Sequence, residues 1–292
     1  MIKAKIFGWR CKPLDVVSRI EEGLSNGGVV FTENNPDLIY KNEDFFDEAI
    51  EFKDKCNNKP FVIFNILDLQ IRNPSYDLEK LKNQLAHANV VTCISHSVKS
   101  QIKEYLNIEA EVIYNPAKDV RFKHTRKTIP FLYVGRANDK NKRFNLIRQT
   151  LSEFFGSQGL VTCGSENPSF GKYAGVVDDE TLNNFYNAAC FVLLPSKFEG
   201  IGLSMIEGMI AGAIPITCND NPTALEFSPK EFICDPNPQA IASKMMDIHD
   251  SYDYFQNIAI EWGKKYWEMM NKNQIANNII NIYNKNHAGQ VQ

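Results

Sequence analysis

Two stretches of this 292-residue sequence combine residue types that can hold a polyanion and a ligand rich in hydroxyls. The first runs Phe131-Leu132-Tyr133-Val134-Gly135-Arg136, then Asn138-Asp139-Lys140-Asn141-Lys142-Arg143. An apolar run ends in glycine, and cations follow before the next amphipathic stretch. Arg136 offers a planar fork of donors and Lys142 a mobile point charge. Beyond the carboxyl end of a strand such groups face the ligand crevice of an open α/β sheet. A diphosphate needs that charge, most of all while it departs as a leaving group. The plainer alternative is a solvated loop.

The second stretch is Phe191-Val192-Leu193-Leu194-Pro195-Ser196-Lys197-Phe198-Glu199-Gly200-Ile201-Gly202-Leu203-Ser204-Met205-Ile206-Glu207. It reads as a buried strand, a glycine-containing loop and a helix that starts near Gly202 and stops at Ala211-Gly212. The first amides and the positive dipole end of such a helix suit an anion. Gly200 and Gly202 would let the backbone approach phosphates without a Cβ in the way. Glu199 and Glu207 stand eight positions apart, near two helical turns. That spacing lets both carboxylates face one ligand, one holding a sugar ring and the other a ribose. Read separately, Glu199 is a charge that complements the dipole and Glu207 an ordinary helix residue.

The elements needed to place these residues follow from periodicity. Strands are expected at 2–7, 29–32, 38–40, 60–67, 90–94 and 111–114, with helices at 14–24, 45–55, 78–88 and 98–106. A second series has strands at 129–134, 160–163, 191–195, 214–218 and 232–234, with helices at 145–155, 179–189, 202–211 and 238–248. Residues 252–285 read as helical. Near-continuous apolar strands favour parallel sheets. The chain therefore reads as two α/β lobes: 1–122, 123–250, and a helical tail over 251–292. Between the lobes, Arg121, Lys123, His124, Arg126 and Lys127 form the sharpest basic cluster, either a solvated linker or a patch for a polyanion.

Net charge is −3 and the sequence pI about 6.0, so no global positive field draws the protein to nucleic acid or anionic lipid. The seven cysteines are scattered, odd in number and never C-x-x-C, which reads as free thiols in a reducing compartment. No signal peptide and no segment near the ~18 apolar residues of a membrane span is visible. The expected location is the cytoplasm of a bacterium or of a virus-infected cell.

The run Glu199-Gly-Ile-Gly-Leu-Ser-Met-Ile-Glu207-Gly-Met-Ile-Ala-Gly-Ala-Ile-Pro-Ile resembles the E-x7-E signature of retaining GT-B glycosyltransferases, glycosyltransferase family four above all. Tyr133-Val-Gly-Arg136 with Lys142 resembles that family's donor-phosphate element. Tyr173-Ala-Gly-Val-Val-Asp-Asp-Glu-Thr-Leu resembles the stretch that flanks the base. The likeness spans about residues 129–235.

The resemblance implies two Rossmann-like lobes with parallel sheets facing a central cleft, and a tail helix crossing back onto the first lobe. It implies a nucleoside diphosphate sugar, UDP-linked by preference, as co-substrate, with no resident cofactor or metal; the sequence has no D-x-D. Catalytic roles would fall to Arg136, Lys142 and Glu199. Donor contacts would come from Gly135, Lys140 (the competing choice to Lys142), Gly175, Val177, Gly200, Ile201, Gly202, Leu203 and Glu207. On the acceptor side the family's glycine-rich loop is reduced to Gly8, Trp9 and Arg10. Asp68 stands near the end of the central strand as an acceptor contact or a helix cap. The acceptor would be a glycan or a glycolipid precursor. Rival readings are a phage-type enzyme acting on hydroxymethylated DNA bases or sugars attached to them, and a sugar-nucleotide epimerase of the same fold.

Overall fold

The computed structural model describes residues 1–8, 15–42, 46–69 and 76–287. The chain divides into two compact units, Met1–Pro116 with Met269–Gln292, and Ala117–Glu268.

The first unit holds strands β1 (Lys3–Gly8), β2 (Val30–Phe31), β3 (Leu38–Asn42), β4 (Phe61–Ile66), β5 (Val90–Cys93) and β6 (Glu111–Val112). Helices α1 (Val16–Asn26), α2 (Asp47–Asp54), α3 (Leu78–Leu85) and α4 (His96–Leu106) alternate with them. All strand pairs are parallel, in the order β2-β1-β3-β4-β5-β6. Every residue of β4 is buried, as a central parallel strand requires. Local chemistry sets the helix ends: Asp15 accepts from the Ser18 amide at α1, Asp77 from Lys80 at α3, and Ser95 from Val98 at α4.

The second unit holds β7 (Ile129–Val134), β8 (Leu160–Cys163), β9 (Lys172–Gly175), β10 (Ala189–Leu194), β11 (Ile214–Cys218) and β12 (Ile233–Cys234). Its helices are α5 (Phe144–Phe154), α6 (Asp179–Ala188), α7 (Leu203–Ile210), α8 (Pro222–Phe227), α9 (Pro238–Asp250) and α10 (Tyr252–Met270). The sheet is parallel with order β12-β11-β10-β7-β8-β9. From β7 the chain runs outward through β8 and β9, then returns to β10 on the other side of β7. The two motif-bearing strands are thus neighbours where the winding direction reverses.

Three features differ from expectation. The tail is two helices, α10 and α11 (Lys272–His287), divided at Asn271, whose side chain accepts from the Gln274 amide at 3.0 Å. α10 packs in the second unit, where the Tyr266 hydroxyl donates to the Phe227 carbonyl at 2.9 Å. α11 packs on α1 and contributes Ile275, Ala276, Ile279 and Ile282 to the first unit's core. Secondly, β9 and α8 were not anticipated: β9 is a short, partly exposed edge strand, and α8 is a six-residue helix capped by Asn221.

Thirdly, the second unit begins at Ala117, ahead of the boundary expected at 123, and residues 121–126, although exposed at their side chains, are tied down through their backbone. The segment is a strap pinned to α6. Asn183 accepts from the Arg121 amide at 3.1 Å, and Asn187 accepts from the Lys123 amide at 2.6 Å while donating to the Arg121 carbonyl at 2.9 Å. The Lys127 ammonium donates to the carbonyls of Asn187 and Gly212 at 2.9 and 3.0 Å. Two asparagine side chains on one helix face give the strap's backbone groups partners, so it lies down instead of spanning solvent. Among the described residues no helix is long and apolar enough to cross a membrane.

Candidate functional site

The carboxyl ends of β7 and β10 lie side by side, since Phe131 pairs with Phe191 and Leu132 with Val192. Beyond β7 come Gly135, Arg136 and a 3₁₀ turn over Lys140–Lys142; beyond β10 comes the loop that carries Glu199 into α7. The two loops are stitched together. The Lys142 ammonium donates to Glu199 Oε1 at 2.6 Å, with only 18% and 12% of those side chains exposed. The Asn141 amide group donates to the Phe198 carbonyl at 2.6 Å, and the Lys197 N–H donates to the Asn141 carbonyl at 2.9 Å. Behind them the Thr223 hydroxyl donates to the Glu199 carbonyl, and Arg143 grips Asp220 with contacts of 3.1 and 2.5 Å.

Lys140, the alternative cation, is exposed on the same turn, whereas Lys142 faces inward onto Glu199. Arg136 is 62% exposed at the side chain and ion-paired with Asp139 at 2.8 Å. Asp139 also receives the Asn141 amide at 2.9 Å, which starts the 3₁₀ turn.

α7 begins at Gly202, in the left-handed region at φ 66°, with no side-chain cap. A left-handed residue there costs any other side chain about 1–2 kcal/mol. The uncapped first turn, flanked by Gly200, Ile201 and Leu203, leaves amides and the positive end of the dipole for an anion. At its far end Gly212, φ 72°, closes the helix as a left-handed C′ residue.

Glu207 lies in the second turn of α7 and is 4% exposed. Its Oε1 accepts from the Lys118 backbone N–H at 3.1 Å and its Oε2 from the Tyr186 hydroxyl at 3.0 Å. Burial, then the Glu207 charge and hydrogen bond, push the Tyr186 hydroxyl well above its ordinary range, so Tyr186 remains a donor. Lys118 is itself buried, its ammonium paired with Asp179 at the start of α6. The eight-residue spacing thus gives the two glutamates different partner sets: a cation for Glu199, an amide and a phenol for Glu207.

Beside β7, strand β8 is followed by Gly164, whose missing Cβ leaves room for the Gly135 carbonyl. The Gly164 amide donates to the Gly175 carbonyl at 3.0 Å and the Tyr173 hydroxyl to the Gly164 carbonyl at 2.9 Å. Gly175 takes φ 75° with open space around it, and Val177 follows half-buried.

Of the residues expected to face the acceptor, Gly8 ends β1, where a side chain would overlap Val17 and the Asn42 carbonyl. Trp9 and Arg10 lie outside the described residues. The cap of α3 is Asp77, and the Asp68 carbonyl accepts from the Tyr76 hydroxyl at 3.3 Å. Sequence reasoning passed over Asp139, Asn141, Lys118, Tyr186 and Thr223 as site-builders. Only Asp139 carried a local signal, an acid two residues before the amide that it caps.

Residues 172–265 match the family model described as glycosyl transferases group 1. A stretch of 115 residues is 25% identical to an uncharacterised glycosyltransferase of Methanocaldococcus jannaschii, and covers 38% of this chain and 29% of that relative. Sucrose-phosphate synthase from Thermosynechococcus elongatus superposes with a TM-score of 0.77 at 12% identity, over 99% of this chain and 100% of that one. The fold is GT-B. A second GT-B structure, Anabaena HepE in complex with UDP and glucose, superposes with a TM-score of 0.75 at 12% identity, over 98% and 100% of the two chains. The group 1 match falls wholly within the second unit and contains α6, β10, α7 and Glu199 through Glu207. That segment carries the uncapped helix and both glutamates.

Proposed function

We propose that the chain is a retaining, family-four-like glycosyltransferase that moves a sugar from a nucleoside diphosphate donor, UDP-linked by preference, to a hydroxyl of a glycan or glycolipid precursor. The observation that carries this reading is the Lys142–Glu199 contact, made between the ends of β7 and β10 beside an uncapped helix. Ligands of open α/β sheets bind at such a reversal of winding. The group 1 match over residues 172–265 and a GT-B neighbour solved with UDP and glucose support the choice of donor.

In this reading Arg136, Lys142 and the first amides of α7 meet the diphosphate, a role that a metal ion fills in other enzymes. Glu199 receives hydroxyls of the transferred sugar while balancing Lys142. Glu207, held by Lys118 and Tyr186, is assigned to the ribose hydroxyls. Backbone around Gly175 and Val177 edges the base. The acceptor oxygen bonds to the anomeric carbon on the face from which the diphosphate leaves. The acceptor's proton passes to the departing phosphate oxygen, whose bond to carbon breaks with its electron pair. Gly8, at the end of β1, is assigned to the acceptor side. Of the basic segment, Lys123 and Lys127 are engaged in holding the strap, which takes two cations away from any DNA-binding patch and favours a glycan hydroxyl.

The test is a thermal-shift panel of UDP, GDP and ADP and their sugars, followed by transfer assays with the donor that protects. Arg136→Ala and Lys142→Ala should each lower donor affinity or turnover more than about tenfold, the scale of one charged contact to a leaving group. Lys140→Ala should stay within about twofold. Retention of full binding by both Arg136→Ala and Lys142→Ala would sink the assignment.

A further inference from the structure

We propose that Asp139 is a positioning residue of the donor site, holding Arg136 in place until the diphosphate displaces it. The inference rests on the donor reading above and concerns a group that reading leaves without a role. Asp139 uses its two carboxylate oxygens for two tasks. Oδ1 accepts from the Asn141 amide at 2.9 Å and starts the turn that delivers Lys142 to Glu199. Oδ2 binds the Arg136 guanidinium at 2.8 Å. One carboxylate therefore fixes the spacing between the two cations of the site.

The two halves of this arrangement differ in how easily they part. The Asp139 side chain is 26% exposed and anchored by the turn, whereas Arg136 is 62% exposed. An exposed pair of this kind is weak and screened by salt. A diphosphate carries more charge than a carboxylate and presents its oxygens to the same planar fork. Arg136 can therefore change partner while the turn stays capped and Lys142 stays on Glu199.

Two substitutions separate the tasks. Asp139→Asn keeps an oxygen for the Asn141 amide and removes the charge that competes for Arg136. Asp139→Ala removes both. Binding of UDP and of inorganic pyrophosphate is measured by calorimetry at low and high salt. Asp139→Asn should bind both about two- to fivefold more tightly than the wild type at low salt, with the gain shrinking as salt rises. The gain should vanish in an Arg136→Ala background. Asp139→Ala should bind more weakly than Asp139→Asn, because Lys142 loses its preset position. Loss of a nearby negative charge by itself would tighten anion binding with or without Arg136, so dependence of the gain on Arg136 is the readout that marks positioning. Equal or weaker binding by Asp139→Asn, or a gain that persists without Arg136, overturns this proposal and leaves the donor site standing. Wild-type protein that binds neither UDP, GDP and ADP nor pyrophosphate overturns both.

Discussion

The Lys127 ammonium donates to the carbonyls at the ends of α6 and α7, and burial pulls its pKa down to about 8. The folded protein then holds fewer protons on this group than the unfolded chain between pH 8 and the ordinary lysine value of 10.5. Stability contributed by Lys127 must rise with pH across that window. Wild-type melting temperature relative to Lys127→Met should therefore increase from pH 7 to pH 10; a difference that is flat or falls with pH would count against the burial of this charge. Sequence reasoning saw Lys127 only as one of a basic cluster, because the carbonyls that hold it come from residues 187 and 212. The same limit applied to the choice between Lys140 and Lys142. Both are cations of one turn, and only the partner across the site, Glu199, distinguishes them.

Among the elements, α7 was largely legible: a buried strand, glycines at the start and Ala211-Gly212 at the end mark its bounds within a residue or two. The helical tail was legible as helix but not as two helices. α11 lies close enough to α1 that a Cβ on Gly23 would overlap the Lys272 carbonyl. Alanine exceeds glycine by about 1 kcal/mol in an open helix, while overpacking a close contact costs about 1–3 kcal/mol. The clash meets backbone that cannot rotate away, so Gly23→Ala should destabilise the protein by up to about 2 kcal/mol net, read as a lower urea midpoint. An increase in midpoint would show that the close approach is absent.

For the whole molecule, the first unit is discontinuous in sequence. Ile275, Ile279 and Ile282 of α11 complete a core begun by β1, α1 and β3. Burying three such side chains contributes roughly 5–9 kcal/mol, comparable to the entire stability of a domain at about 5–15 kcal/mol. A chain ending at Met270 should lose the cooperative unfolding of its first unit. Limited proteolysis should then cut within residues 1–116 before residues 117–268. Equal resistance of the two segments would show that α11 is dispensable.

By itself the sequence determined where strands and helices alternate, because those depend on neighbours within a turn or two. It also placed glycines, cations and carboxylates at strand ends. What it left undecided was which strand ends meet. Residues 131 and 191 become partners only because the crossover helices wind the sheet out in one direction from β7 and then in the other. That packing choice, made over sixty residues of separation, set Lys142 on Glu199, assigned Glu207 to Tyr186 and Lys118, and turned a basic stretch into a strap. Contacts of this range are paid in loop entropy and returned by burial, so they belong to the assembled unit and to no local pattern within it.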